Sequence, residues 1–223
     1  MSYFSELKIK NKEGFTHTPK FWVCGFTLIE LIVVMAIATF IMTSVVIQQS
    51  KWNDQLVVST QAYELAMMVR QAQIYSLGVR ENIAGSGDKF NVGYGVSIRK
   101  VNDADGDSAI NKYTFFADTD GDMMYEEGVD HIVGSEILLK RGVLIDDFCA
   151  YNAGGIKKCA YDVGESMSAL HISFLRPKSK ANIIVEGSIK YPPALILLKS
   201  SGGKEYFVKV EENGQISTGR GNP

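Results

Sequence analysis

The residues of this chain that could do chemistry fall into a few groups. Two acidic turns come first, Asp103-Ala104-Asp105-Gly106-Asp107 and Asp118-Thr119-Asp120-Gly121-Asp122, the second followed by Glu126, Glu127 and Asp130. Alternating carboxylates around a glycine aim several oxygens at one hard cation, and Ca²⁺ accepts six to eight of them. Neither turn has EF-hand spacing. In the second, glycine stands fourth rather than sixth and position twelve is Val129; in the first, position twelve is Thr114, and Lys112 two residues before it opposes a cation. The expected Ca²⁺ ligands are Asp118, Asp120, Asp122 and Asp130, and the alternative is a pair of solvated Asp/Gly hairpin turns.

Cys149 and Cys159 form the next group. In an oxidising extracytoplasmic compartment they would pair across a polar, Gly-containing loop; the alternative is two unrelated thiols. His131 borders the acidic turn. His171 alternates with Leu170 and Ile172 and reads as an exposed strand residue. No Gly-x-Ser-x-Gly, His-Glu-x-x-His or phosphate-loop pattern occurs, and flexible Asp/Gly loops organise a catalytic geometry poorly, so the chain does not read as an enzyme. The last chemical residue is Glu30, the single formal charge in an apolar run from Phe26 to Ile47. If the run spans a bilayer, a carboxylate there costs about 2.5–3.5 kcal/mol and needs a partner.

These residues must be positioned by a long helix and a β-rich head. From Phe26 to Ile47 a helix rises about 33 Å, enough for a hydrocarbon core of about 30 Å. Before it, Lys8, Lys10, Lys12 and Lys20 outnumber Glu6 and Glu13, which directs the N-terminus to the cytoplasm. After it comes Gln48-Gln49-Ser50-Lys51-Trp52, with no small-residue cleavage pattern, so the run reads as retained. Cys24 precedes the run rather than following one, which argues against lipidation. From Asn53 to Leu77 there is no Gly or Pro, and Val58, Ala62, Leu65, Val69 and Ala72 form a stripe of helical period ending at Gly78. Beyond Gly78 short runs read as antiparallel strands: 92–98, 113–117, 132–139, 170–175, 183–186, 194–198 and 206–210. Pro192-Pro193 and Gly202-Gly203 read as turns between them.

Charge bears on partners. The chain of 223 residues has 23 basic and 25 acidic residues, a formal charge of −2, which argues against a general polyanion binder. Nine acidic residues and one basic residue, Lys112, lie between Asp103 and Asp130. The last quarter is basic, with Lys178, Lys180, Lys190, Lys199, Lys204, Lys209 and Arg220, but scattered cations are usually a solvated face.

The stretch Gly25-Phe26-Thr27-Leu28-Ile29-Glu30-Leu31, preceded by a basic leader, resembles the class III signal of type IV pilins and type II secretion pseudopilins. That resemblance implies cleavage between Gly25 and Phe26 by prepilin peptidase, N-methylation of Phe26, and Glu30 as the fifth mature residue. The methylated amine of a neighbouring subunit would then neutralise Glu30 within the membrane or a fibre core. The segment 65–78, the hairpin around Phe115-Phe116-Ala117-Asp118 and the ending around Tyr206–Val210 and Gly219-Arg220 resemble the GspH/FimT branch of minor pseudopilins and minor pilins. The leader, at 25 residues, is longer than the shortest of the family.

The resemblance implies an α+β, pilin-like fold, a long N-terminal helix on an antiparallel β head. Residues 1–25 would be the cleaved leader, 26–47 the transmembrane half of the helix, 48–78 its amphipathic half and 79–223 the extracytoplasmic head. It implies a minor pilin or pseudopilin in the bacterial inner membrane, then in a type IV pilus or secretion pseudopilus. Its partners would be other pilin or pseudopilin subunits, prepilin peptidase, the inner-membrane assembly platform and membrane lipids. Calcium sites and a stapled C-terminal loop occur in such families, in keeping with the Asp118 turn and with Cys149 and Cys159. Some members of the branch bind DNA through a Gly-Arg element; here Gly219-Arg220 lacks a second nearby Arg, which argues against DNA. The alternatives are a DNA-binding minor pilin in DNA uptake and a membrane-anchored binding module that never polymerises.

Overall fold

The computed structural model describes residues 25–78, 92–100, 110–151, 154–162, 167–185, 188–189 and 191–223. The leader with its lysines and Cys24, and the first acidic turn at 103–107, lie outside the described residues.

One helix, α1 (Leu28–Leu77), runs for 50 residues. The chain divides within it into two compact units, one ending at Val45 and one beginning at Val46. In the first unit every described side chain of the helix is exposed. Its hydroxyls are satisfied by the helix itself: Thr39 Oγ1 donates to the Met35 carbonyl (3.0 Å), Thr43 Oγ1 to that of Thr39 (2.8 Å) and Ser44 Oγ to that of Phe40 (3.0 Å). A polar group closed on its own backbone can enter hydrocarbon without an orphaned donor. This helix is long and apolar enough to cross a membrane.

In the second unit α1 lies on a head of antiparallel strands. These are β1 (Gly93–Arg99), β2 (Lys112–Asp118), β3 (His131–Ile132), β4 (Ile137–Leu138), β5 (Leu144–Tyr151), β6 (Lys157–Cys159), β7 (Ala169–Phe174), β8 (Ala181–Val185), β9 (Ser188–Ile189), β10 (Tyr191–Lys199), β11 (Glu205–Val210) and β12 (Ile216–Arg220). One sheet has the order β3-β2-β1-β7-β8-β9, with β4 also paired to β2; the other has the order β12-β11-β10-β5-β6. The structure is thus the α+β, pilin-like arrangement that the sequence implies.

The stripe Val58, Ala62, Leu65, Val69 and Ala72 is fully buried. Its alanines let the helix approach the sheets closely, and burying Leu65, Val58 and Val69 stabilises the head by about 1.5–3 kcal/mol each. Facing them are Val96 and Ile98 of β1, Phe115 of β2, Ile172 and Phe174 of β7, and Ile196 and Val208 of the second sheet. Tyr75 closes the far end of the helix, 5.6 Å from the rings of both Tyr94 and Phe115. Two buried glutamines hook the helix to turns. Gln61 Oε1 accepts the Lys140 N–H (3.0 Å), and Gln73 Nε2 donates to the carbonyls of Ser179 and Gly214, each at 3.2 Å.

Three sequence expectations are corrected here. Pro192-Pro193 is no turn; it lies inside β10, where the register against β5 shifts between Tyr191 and Leu195. Proline is tolerated at such an irregularity because no ladder hydrogen bond is asked of it. The run 132–139 is not one strand, because Gly134 takes a left-handed φ of 96° and splits it into β3 and β4, which pair with opposite ends of β2. His171 is not exposed. It is 1% accessible, because the outer face of the first sheet is covered by the loop between β2 and β3, whose Tyr125 N–H donates to His171 Nδ1 (3.2 Å).

Candidate functional site

Two regions carry the candidate residues, the N-terminal turn of α1 and the acidic loop after β2. Gly25, Phe26 and Thr27 precede the helix. Thr27 is its N-cap: the hydroxyl accepts the Glu30 N–H (3.3 Å), and the carbonyl accepts the Leu31 N–H (3.2 Å). Glu30 is therefore in the first helical turn, where the partial positive charge of the helix N-terminus favours a carboxylate. The spacing Thr-x-x-Glu is a capping-box pattern, and it could have placed the helix start from sequence alone. Phe26 is 79% exposed and a Cβ on Gly25 would meet nothing within 4 Å, so among the described residues nothing packs against the Gly25–Phe26 bond.

The acidic loop is built differently. Asp118 ends β2 opposite Gly93 and is only 4% exposed. Its Oδ1 accepts the Gly121 N–H (2.7 Å) and its Oδ2 that of Met123 (3.1 Å). Gly121 and Met123 take left-handed backbone, at φ 86° and 68°, which turns their N–H groups inward. Asp130 mirrors this from the loop's other end. Its Oδ1 accepts the Thr119 N–H and its Oδ2 the Glu126 N–H, both at 2.9 Å. Asp120 joins them: one oxygen from each of Asp118, Asp120 and Asp130 lies within 4.8 Å of the others. Asp122 is not in this group; its Oδ1 accepts the Met124 N–H (2.8 Å).

Electrostatics follow from that crowding. Burial pushes the Asp118 carboxyl up to about 6; the N–H groups of Gly121 and Met123 oppose the shift, while the Asp130 charge and Asp120 add to it. Asp122 is also raised, first by burial and then by Asp120 and Asp130, with the Met124 N–H opposing. Three converging carboxylates can relieve their repulsion by holding a proton or a hard cation. They supply fewer than the six to eight oxygens Ca²⁺ takes, so carbonyls and water would complete its shell. The loop is pinned to the sheet by Arg99, whose guanidinium donates to the Tyr125 carbonyl and stacks on that ring at 4.8 Å. The alternating run Val92–Ile98 stops one residue before Arg99, and nothing in the sequence paired it with Tyr125.

The remaining candidates are placed as follows. Cys149 and Cys159 face each other across β5 and β6 and are joined by a disulfide. His131 is exposed in β3. Arg220 is held at the end of β12: its Nε donates to the Tyr206 hydroxyl (3.4 Å) and, with the Gln55 amide turned to present its oxygen, its guanidinium donates to Gln55 on α1. Arg220 thus clasps the last strand to the helix.

Residues 23–46 match the family model described as the prokaryotic N-terminal methylation motif. No curated protein and no solved structure matches the chain. The match takes in Gly25, Phe26 and Glu30 and stops before the head. The chain thus carries an N-terminal methylation motif on an exposed apolar helix, the combination that supports a type IV pilin-like protein.

Proposed function

We propose that the chain is a subunit of an extracytoplasmic helical fibre, a minor pilin or pseudopilin of the GspH/FimT kind, anchored in the inner membrane before assembly. Prepilin peptidase cuts between Gly25 and Phe26, Phe26 is N-methylated, and the Phe26–Ile47 stretch waits in the bilayer until the assembly platform lifts it into the fibre. Glu30 then pairs with the methylated amine of a neighbouring subunit. The role is assembly rather than turnover, and the carboxylates Asp118, Asp120 and Asp130 act as oxygen donors for Ca²⁺ that stiffen the head.

The observation that carries this reading is the outer face of α1. Its apolar character does not stop at Ile47: Trp52, Leu56, Tyr63, Met67, Ile74 and Leu77 are all exposed along the side of the helix that faces away from the sheets. An apolar stripe of that length, broken only by Arg70 between Met67 and Ile74, calls for a partner surface. The helices of other subunits supply one, through a heterologous contact that does not close and so grows a filament.

Met67→Glu tests this. The residue is exposed, so the head should fold with an unchanged melting temperature while incorporation into fibres is lost. Normal incorporation of the variant would favour a membrane-anchored module that never polymerises. DNA binding is the weaker rival, since the Arg220 guanidinium is engaged by Tyr206 and Gln55.

A further inference from the structure

The turns that meet the first part of α1 within the head carry Lys140, Arg141 and Lys204 against one carboxylate, Glu205, which lies 3.8 Å from Lys199, and they form a collar around the helix. The Lys140-Arg141-Gly142 turn is tied to the helix by the Lys140 N–H to Gln61 bond. The turn between β10 and β11 packs beside it: a Cβ on Gly202 would collide with the Asp54 carboxylate, and one on Gly142 would touch Ser201. The end of β12 is fastened there by Arg220 and Gln55. Lys140, Arg141, Lys204 and Arg220 all expose their side chains at this end of the head. Lys140, Arg141 and Lys204 have no acidic partner among the described residues. Lys112 and Lys199 nearby are neutralised, by Glu136 at 3.0 Å and by Asp146 at 3.3 Å. The acidic groups facing the collar from α1 are Asp54 and Glu64, and Glu64 accepts from Gln61 Nε2 at 2.6 Å. A cleft of about 290 Å³ opens within the collar, its wall holding Lys140 and Arg141, the polar Asn53, Thr60 and Gln61, and one carboxylate, Glu64, which is held by the Gln61 amide.

Arg141 adds an unusual detail. It takes a left-handed φ of 57° and Gly142 one of 70°, the two-residue turn in which Asn, Asp or Gly is usual at the first position. A long cation kept there at a steric cost points to work for its side chain. Trp52, 68% exposed, lies five residues after Ile47 on the same helix, about 7.5 Å along its axis. An exposed tryptophan at that depth is typical of a membrane interface.

We infer that this collar is a docking surface for anionic phospholipid headgroups, with a phosphate seated in the cleft between Lys140, Arg141 and the polar side chains Asn53 and Thr60. The inference rests on the reading of Phe26–Ile47 as a membrane span. It adds a resting state in which the head is held on the extracytoplasmic leaflet and must release lipid before the subunit is lifted into a fibre. The exposed Trp52 just beyond Ile47, beside exposed cations without an acidic partner among the described residues, favours a lipid interface as the occupant.

The test reconstitutes the full chain, heads outward, into vesicles of zwitterionic phosphatidylcholine or of the same lipid with phosphatidylglycerol. A membrane-impermeant amine-acylating reagent is added, and mass spectrometry follows Lys140 and Lys204 against Lys178, which sits at the other end of the head. Anionic vesicles should slow acylation of Lys140 and Lys204 by roughly five-fold, with Lys178 unchanged and the protection removed by high salt. Arg141→Gly suits the turn and should fold while losing much of the protection. Equal rates in both vesicles with the chain still membrane-bound would overturn the docking surface, as would equal slowing at all three lysines. Slowing in neutral vesicles as protein density rises would assign the collar to another copy and overturn it too. Protection reproduced by inorganic phosphate in neutral vesicles would identify a free-anion site instead of a lipid one. A chain that fails to float with either vesicle would sink the membrane-span reading instead.

Discussion

The Thr27 hydroxyl accepts the Glu30 N–H at 3.3 Å, which sets the only charge of the apolar run in the first turn of α1. The carboxylate is therefore held near the helix end that processing would expose. No side chain between Phe26 and Ile47 carries a positive charge, so its Coulomb partner in a fibre would be a processed Phe26 amine, supplied by a neighbouring subunit. Glu30→Ala should leave membrane insertion intact and lower incorporation into fibres. Glu30→Gln, which keeps the side chain's length and loses its charge, should behave like the alanine variant. Undiminished incorporation of both, measured on sheared fibres, would remove the amine pairing.

Gln73 and Gly214 fasten the far end of the helix. Gly214 sits at φ 82°, and a Cβ there would collide with the Ser179 carbonyl and with Gln73 Nε2. Gly214→Ala should therefore destabilise the head by about 2–4 kcal/mol, combining left-handed strain with overpacking. A lowered denaturation midpoint with an unchanged slope is the expected result; an unchanged midpoint would mean the turn moves freely.

The acidic loop sets a pH dependence. Asp118 titrates near 6 in the folded state against its ordinary value of 3.8, so the folded chain holds the extra proton between those values. Its contribution to stability is full below about pH 4 and is lost as pH rises through about 6. In chelator, the melting temperature should fall across that window, and Asp118→Asn should flatten the fall. Ca²⁺ favours the charged carboxylate and should restore stability at neutral pH. A melting temperature at pH 7 that is the same with and without Ca²⁺ would exclude the cation role.

The disulfide between Cys149 and Cys159 closes a ten-residue separation beside the core, with Cys149 fully buried. On the chain-entropy model its reduction should cost about 2–3 kcal/mol. Thermal melts with and without reductant measure this. An identical midpoint for the reduced chain would show the bond to be dispensable.

The helix was legible because its signals are local. The stripe from Val58 to Ala72 has helical period with no Gly or Pro in it, and all five residues are buried. Most strands were legible from alternation, but β5 was not, since Asp146 and Asp147 break its apolar pattern while cross-strand pairing with β10 decides its state. His171 misled for a related reason: alternation says which face a residue takes, not whether a loop 46 residues away in sequence covers that face. At the candidate site, Asp118, Asp120 and Asp130 converge while Asp122 turns to its own backbone. Spacing alone could not separate them, because left-handed backbone at Gly121 and Met123, on either side of Asp122, redirects the chain there.

The processing site tests the whole account most directly. The chain should be isolated from cells with and without prepilin peptidase and its N-terminus determined by mass spectrometry. The account predicts an N-methylated Phe26 terminus in cells with the peptidase and the uncleaved chain in cells without it. An uncleaved Met1 terminus in both would contradict it.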